Sequence, residues 1–148
     1  MPLETRSDPA DILLVEDAAE DIRATEEALR ELRLPHRLQV CRDGQEALDR
    51  VRRRGQHETS PRPDLVLLDL NLPMVGGHEV LAALKNDPEL RQIPVLVLSS
   101  SASSSDRDRA LALGANTYLT KPVDFDEFLG LMRDIDRFWL HRGRRTAQ

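Results

Sequence analysis

The chain has 148 residues, 40% of them hydrophobic and 32% charged, with a formal net charge of −5; this is one ordinary domain with enough apolar material for a core, and wholesale disorder is excluded. No apolar run approaches the ~20 residues of a membrane helix, and the first ten residues, MPLETRSDPA, are no signal peptide, so a cytoplasmic location is expected. A single cysteine, Cys41, excludes an internal disulfide and a cysteine-rich zinc site, and the acidic balance argues against nucleic acid as the main partner.

Residues 1–10 are polar, carry Pro2 and Pro9, and read as a flexible tail. Asp11–Val15 is a short apolar strand that stops abruptly at Glu16-Asp17. From Ala18 to about Leu32 the spacing is helical, with Ile22, Leu29 and Leu32 near one stripe. Leu34–Val40 is a second strand. Asp43 then caps a helix containing Ala47, Leu48 and Val51. Residues 54–63 read as a loop, punctuated by Gly55, Pro61 and Pro63. Asp64–Leu68 is a third strand, ending at Asp69, and Asn71–Gly77 is a turn. Glu79–Lys85 is helical and stops before Pro88. Pro94–Leu98 is a fourth strand, followed by the serine-rich stretch Ser99–Ser105. Its last serines can cap a helix over Asp106–Leu113, with Gly114 as the residue that ends it. Asn116–Thr120 is a fifth strand, and Asp124 to about His141 is the last helix.

Five alternating strand–helix units with near-continuous apolar strands imply a parallel sheet covered on both faces, a doubly wound α/β fold. In such sheets function collects at the carboxyl ends of the strands, near the point where strand order reverses. Glu16 and Asp17 follow the first strand, Asp69 the third, Ser99 the fourth, and Lys121-Pro122 the fifth. With strand order 2-1-3-4-5, the first and third strands are neighbours, and three acids share one crevice with a hydroxyl and an amine.

Each residue has an ordinary structural role open to it. Asp17 with Glu20 fits a capping box; Asp69 suits a turn; Ser99 is one loop serine among several; Lys121 could be a surface residue. Those roles are independent of one another, whereas all five residues fall at the same sheet edge. Three carboxylates so close repel unless a cation holds them. Oxygen donors without histidine or cysteine suit Mg²⁺, with Mn²⁺ as a substitute, rather than zinc. The acids, Lys121 and a divalent ion sum to zero charge, so the pocket could admit a phosphoryl group. Positioning and charge neutralisation would then carry the transfer, with a carboxylate as nucleophile. Asp69 is the candidate nucleophile, between the acidic pair on one side and Ser99 and Lys121 on the other.

These residues resemble the receiver domain of two-component response regulators. The resemblance spans residues 11–141 and rests on the acidic pair, the DLNLP run around Asp69, Ser99 and the KP pair at 121–122. It implies a flavodoxin-like (βα)5 fold with strand order 2-1-3-4-5. It also implies that Asp69 accepts phosphate from a histidine kinase. By the same resemblance Glu16, Asp17, Asp69 and the backbone carbonyl of Asn71 hold Mg²⁺, and Ser99 and Lys121 contact the phosphoryl oxygens. The Lys121–Pro122 bond looks like the family's cis peptide, and Tyr118 occupies the place of its aromatic switch residue. Such a protein promotes its own phosphorylation without being a dedicated enzyme. The wording DLNLP, KPVDFDEF and DRFWL is similar to single-domain regulators that partner phytochrome-type kinases. Gly76 departs from a common aspartate, and Ser99 from a common threonine.

Only RGRRTAQ, residues 142–148, follows the last helix and reads as a tail, so output by protein contact or onward phosphotransfer is expected, since an output domain needs at least ~50 residues. In that helix Phe125, Phe128, Leu129, Met132, Ile135 and Trp139 form a core stripe. An 18-residue helix is about 27 Å long, against ~17 Å for a five-residue strand. The end of the helix, Phe138, Trp139 and Leu140, is therefore expected to overhang as an apolar interface for a homodimer or a kinase. The basic runs at 52–54 and 142–145 read as solvated ends, and His36, His57, His78 and His141 are too scattered for a metal site. Membrane partners are not expected. Three rival readings fit less well. A flavodoxin-like phosphate binder would need a Ser/Thr/Gly loop where EDAAED stands, and a metal-dependent nuclease would need a second acid beside Asp69. A degenerate receiver scaffold would have no use for the intact acids and Lys121.

Overall fold

The computed structural model describes residues 9–52 and 62–141. Among the described residues five strands alternate with five α-helices: β1 (Ala10–Val15), α1 (Ala19–Glu31), β2 (His36–Cys41), α2 (Gly44–Val51), β3 (Leu65–Leu68), α3 (Gly77–Asn86), β4 (Val95–Ser99), α4 (Ser104–Ala112), β5 (Thr117–Thr120) and α5 (Phe125–Ile135). All strand pairs are parallel and the order is β2-β1-β3-β4-β5, as expected. Apart from the last helix, element ends fall within two residues of the sequence reading. Ala10, expected in the tail, opens β1 by pairing with His36. The rest of that tail except Pro9, most of the 54–63 loop, Arg53, Arg54, His57 and residues 142–148 lie outside the described residues.

The strands are apolar throughout because both faces are covered. Leu13, Val15, Val66, Leu68, Val95 and Val97 face one core, shared with Ala47, Leu48 and Val51 of α2 and Val80, Leu81 and Leu84 of α3. Ile12, Leu14, Leu65, Leu67, Leu96 and Leu98 face the other, shared with Ile22, Ala28 and Leu29 of α1 and Phe128, Met132 and Ile135 of α5. The alternation is the two-residue period of a strand, with each side of the pleat given to one helix layer. Cys41 is buried at the end of β2, and burial pushes its thiol up to about 11, so it is a core residue and no nucleophile at neutral pH.

Side chains cap three helix starts, as expected at Asp43 and in the serine-rich stretch, and also at Asp124, which the sequence pattern places inside the last helix. Asp43, Ser103 and Asp124 accept the backbone N–H of Glu46, Asp106 and Glu127 at 2.8, 3.3 and 3.3 Å. The last helix differs from expectation. It is α-helical only to Ile135 and continues as a π-helical segment over Asp136–His141. In an α-helix Leu140 would lie roughly 140° round from Ile135. Bonding from i to i+5 instead brings residues five apart onto one side. Leu140 is accordingly buried in the α1–α5 core at 2% exposure, Trp139 packs half-buried against it, and Phe138 alone is exposed, at 53%. The three-residue apolar overhang expected as a homodimer or kinase interface is therefore not formed: one large side chain remains of it.

Lys85, one of the two lysines in the chain, ties the end of α3 to the following turn. Its ammonium donates to the carbonyls of Arg91 at 3.0 Å and Ile93 at 2.9 Å. The stem of Lys85 lies under Gly114, which has φ +109°, and a Cβ there would meet Lys85 Cγ at 2.9 Å. Gly114→Ala combines a left-handed strain with that clash, and we expect a loss of about 1–3 kcal/mol in urea unfolding. The expected C-terminal role of Gly114 after α4 is thus observed.

Candidate phosphoacceptor site

The acidic pair, Asp69 and Lys121 meet because the sheet ladder runs one residue beyond the strands. Glu16 N–H donates to Cys41 O at 2.9 Å, Asp69 N–H to Val15 O at 3.0 Å, and Lys121 N–H to Ser99 O at 2.8 Å. Each backbone is thereby pinned at the sheet edge while its side chain is free to turn over the edge. The first residue of α3 closes in from behind. Gly77 N–H donates to Leu70 O at 3.1 Å, and a Cβ on Gly77 would stand 2.6 Å from the Asp69 carbonyl oxygen, so only glycine lets α3 start this close to Asp69.

Glu16, Asp17 and Asp69 offer one oxygen each, all within 4.8 Å of one another. Glu16 and Asp69 are buried, at 3% and 7% exposure, while Asp17 is exposed. Asp17 caps nothing. Helix α1 starts at Ala19 with Ala18 as its cap residue and no side-chain cap bond, so the capping-box role is not taken. Glu16 Oε2 instead accepts the Ala18 N–H at 3.2 Å. Lys121 Nζ donates to Glu16 Oε1 at 2.7 Å and lies 3.8 Å from Asp69 Oδ2. Asp69 Oδ1 is buried with no hydrogen-bond partner among the described residues. An all-oxygen donor set with an orphaned buried carboxylate oxygen fits a hard divalent cation such as Mg²⁺ or Mn²⁺.

Burial pushes the carboxyls of Asp69 and Glu16 above their ordinary range. For Asp69 the Lys121 charge and the backbone amides of Asn71 and Leu70 pull the other way and lose. For Glu16 the Lys121 hydrogen bond opposes burial, and the Asp69 charge adds to it. Burial would lower the Lys121 amine, but its hydrogen bonds to Asp21 and Glu16 outweigh that and hold it above the ordinary lysine range. The cluster thus favours an added positive charge.

Ser99, the last residue of β4, is fully buried, and its hydroxyl oxygen accepts the Ser101 N–H at 3.1 Å. Tyr118 is half-buried in β5, and its hydroxyl donates to Ser101 O at 2.8 Å. Ser101 Oγ donates in turn to Asp106 Oδ2 at 2.7 Å, in the first turn of α4. Ser99 and Tyr118 therefore hang on the same loop residue. Asn71 lies in the β3–α3 loop with its side chain exposed. The Lys121–Pro122 bond is trans, as are all described peptide bonds, which corrects the cis expectation. The ordinary trans geometry already delivers the amine to Glu16, so no cis bond is needed to aim it.

Asp21 was not among the expected site residues. Its Oδ2 accepts from Lys121 Nζ at 2.8 Å. In sequence it is one polar residue in the first turn of an amphipathic helix, although it does stand one helical turn after Asp17. A cavity of about 230 Å³ opens beside this ion pair, between α1 and the start of α5, with Glu16, Asp21, Asp69, Lys121, Phe125 and Phe128 among its lining.

Residues 12–133 match the family described as the response regulator receiver domain. Response regulator Rcp1 of Synechocystis sp. is 42% identical over 132 residues, covering 89% of this chain and 90% of that protein. The Mn²⁺-bound form of Rcp1 superposes with a TM-score of 0.83 at 42% identity, covering 89% of this chain and 95% of the other. The phosphorylated cyanobacterial phytochrome response regulator RcpA gives a TM-score of 0.85 at 43% identity, covering 89% of this chain and 94% of the other.

Proposed function

The chain belongs to the response regulator receiver domain family, and from that premise we propose that Asp69 is the residue phosphorylated when it serves as phosphoacceptor in two-component signalling. One observation carries the reading: Glu16, Asp17 and Asp69 converge within 4.8 Å, with the Lys121 ammonium beside them and Asp69 Oδ1 unpartnered among the described residues. Receiver domains pair with histidine kinases, and the donor is a phosphohistidine. The phosphorus–nitrogen bond of the donor breaks as an Asp69 carboxylate oxygen bonds to phosphorus, and the histidine leaves as a neutral imidazole once protonated. Glu16, Asp17 and Asp69, with the Asn71 carbonyl as a further ligand, would hold a divalent cation, which would supply neutralising charge for the phosphoryl oxygens. Lys121 supplies a charge-assisted hydrogen bond to one of those oxygens, and the Ser99 hydroxyl donates to another. The chain's own residues thus promote its phosphorylation without making it an enzyme of the ordinary kind.

The Ser99–Ser101–Tyr118 connection supports a switch. Ser99 now accepts from Ser101, and Tyr118 holds the carbonyl of the same residue. Turning the Ser99 hydroxyl to a phosphoryl oxygen breaks the first bond and loosens the second, which lets Tyr118 and the start of α4 rearrange. A phytochrome-type histidine kinase is the upstream partner we propose, supported by the likeness to RcpA across most of both chains.

Incubation with a small acyl phosphate and Mg²⁺, read by intact mass, tests the reading. One added phosphoryl group is expected, and none when the metal is chelated. No addition under any condition would favour the scaffold alternative, in which the fold signals without modification.

A further inference from the structure

The amine of Lys121 does not rest on the carboxylate it serves. It donates to Glu16 Oε1 at 2.7 Å and to Asp21 Oδ2 at 2.8 Å, while Asp69 Oδ2 stands at 3.8 Å, outside hydrogen-bond distance. An ammonium has three N–H donors, and two are committed away from Asp69. The two anchors are not equivalent. The Glu16 side chain is 3% exposed and belongs to the cluster with Asp17 and Asp69. The Asp21 side chain is 42% exposed and lies outside that cluster. Asp21 is also held in place: it sits in the first turn of α1, where the helix N-terminus favours a negative charge, and its carbonyl accepts the Thr25 hydroxyl at 2.9 Å.

The geometry points to Asp21 as a positioning residue that holds Lys121 back from Asp69 in the resting protein, so that phosphorylation proceeds with exchange of Asp21 for a phosphoryl oxygen at the ammonium. This rests on the reading of Asp69 as acceptor. The choice of bond to break follows from burial. Leaving Glu16 unpaired would strand a charge away from water, which is costly. Asp21, released, is solvated at once, and an ion pair of this exposure is worth little. Asp21 therefore tunes how readily the site takes a phosphoryl group, without touching that group.

The chain contains only two lysines, Lys85 and Lys121, so side-chain ammonium signals of protein labelled with ¹⁵N-lysine number at most two. In metal-free protein, Asp21→Asn is expected to move the Lys121 signal and leave that of Lys85 in place. In the second arm, Mg²⁺ is saturating and beryllofluoride, an acyl-phosphate mimic, is titrated. Asp21→Asn is expected to bind it roughly threefold to tenfold more tightly, the range of a part-exposed charged hydrogen bond. Glu20→Gln is the control, because Glu20 is an exposed acid lining the same cavity and makes no ion pair with Lys121 among the described residues. It should give less than half that gain, and Asp21→Asn should give none in a Lys121→Met background. Unchanged or weaker binding by Asp21→Asn, an equal gain from Glu20→Gln, or a gain that survives Lys121→Met overturns the assignment. If the wild type takes no beryllofluoride, the acceptor reading itself fails and this inference with it. If the wild type binds and Asp21→Asn does not tighten, only the inference fails.

Discussion

Asp69→Asn is expected to cut phosphoryl uptake by more than about a hundredfold, because a neutral amide oxygen cannot replace the carboxylate nucleophile, and loss of a nucleophile costs orders of magnitude in rate. The substitution is nearly isosteric, so the fold should survive it. In chelator it should even gain stability. Burial raises the Asp69 carboxyl above its ordinary 3.8, so ionising it costs more in the folded than in the unfolded chain, and that difference is a penalty at neutral pH. The neutral amide removes that penalty, and a gain of roughly 1–2 kcal/mol at pH 7 is the scale of such a buried charge. The sign fixes the pH dependence. A carboxyl raised on folding destabilises above its folded value, and the penalty fades as pH falls through that value toward 3.8. Urea unfolding of both proteins in chelator should therefore show the advantage of Asp69→Asn at neutral pH shrinking in acid. An advantage that grew on acidification would contradict the burial argument. Phosphoryl label that persisted in Asp69→Asn would move the acceptor elsewhere.

Lys121→Met is expected to destabilise the metal-free protein by about 2–4 kcal/mol, since removing one partner of a buried ion pair leaves the other uncompensated. The Lys121 side chain is 13% exposed and bonds Glu16, which is 3% exposed and sits beside Asp69. Without the ammonium, two buried carboxylates face each other with no cation, and protonation of one limits the loss. Added Mg²⁺ should restore most of the stability, because binding to the folded state alone adds about 2.7 kcal/mol at a hundred times Kd. The variant should also bind Mg²⁺ more tightly than the wild type, as a competing positive charge is gone. Phosphoryl uptake should nonetheless fall by about 10²-fold, the cost of losing one donor to the developing charge. Thermal unfolding with and without Mg²⁺, alongside intact mass, separates these effects. A metal-free Lys121→Met as stable as the wild type would mean that the Glu16 pair carries no net stability.

The five strands and the positions of Glu16, Asp17, Asp69, Ser99 and Lys121 could be read from residues in a row, while the strand order came with the family resemblance. A buried parallel strand is a short apolar run with a sharp polar end, and a parallel sheet brings every such end to one edge. That local rule needs no knowledge of side-chain contacts. Helix caps at Asp43 and Ser103 were legible for the same reason, as each bond spans three residues.

What could not be read along the chain depends on partners far away in it. Asp21 and Lys121 are 100 positions apart, and nothing in the helical pattern around Asp21 distinguishes it from a solvated acid. Asp17, a plausible cap, leaves that role because α1 begins at Ala19, which frees its carboxylate for the cluster. The hydroxyl of Tyr118 finds Ser101 across the sheet edge, where an ordinary strand tyrosine would meet water. Leu140 turns inward because α5 changes pitch after Ile135, and pitch at a helix end answers to packing against α1 and the sheet, not to the composition of DRFWLH. Backbone periodicity is a property of neighbours in sequence and announces itself there. Ion pairing, capping choice and helix pitch are settled by which surfaces meet once the sheet has formed.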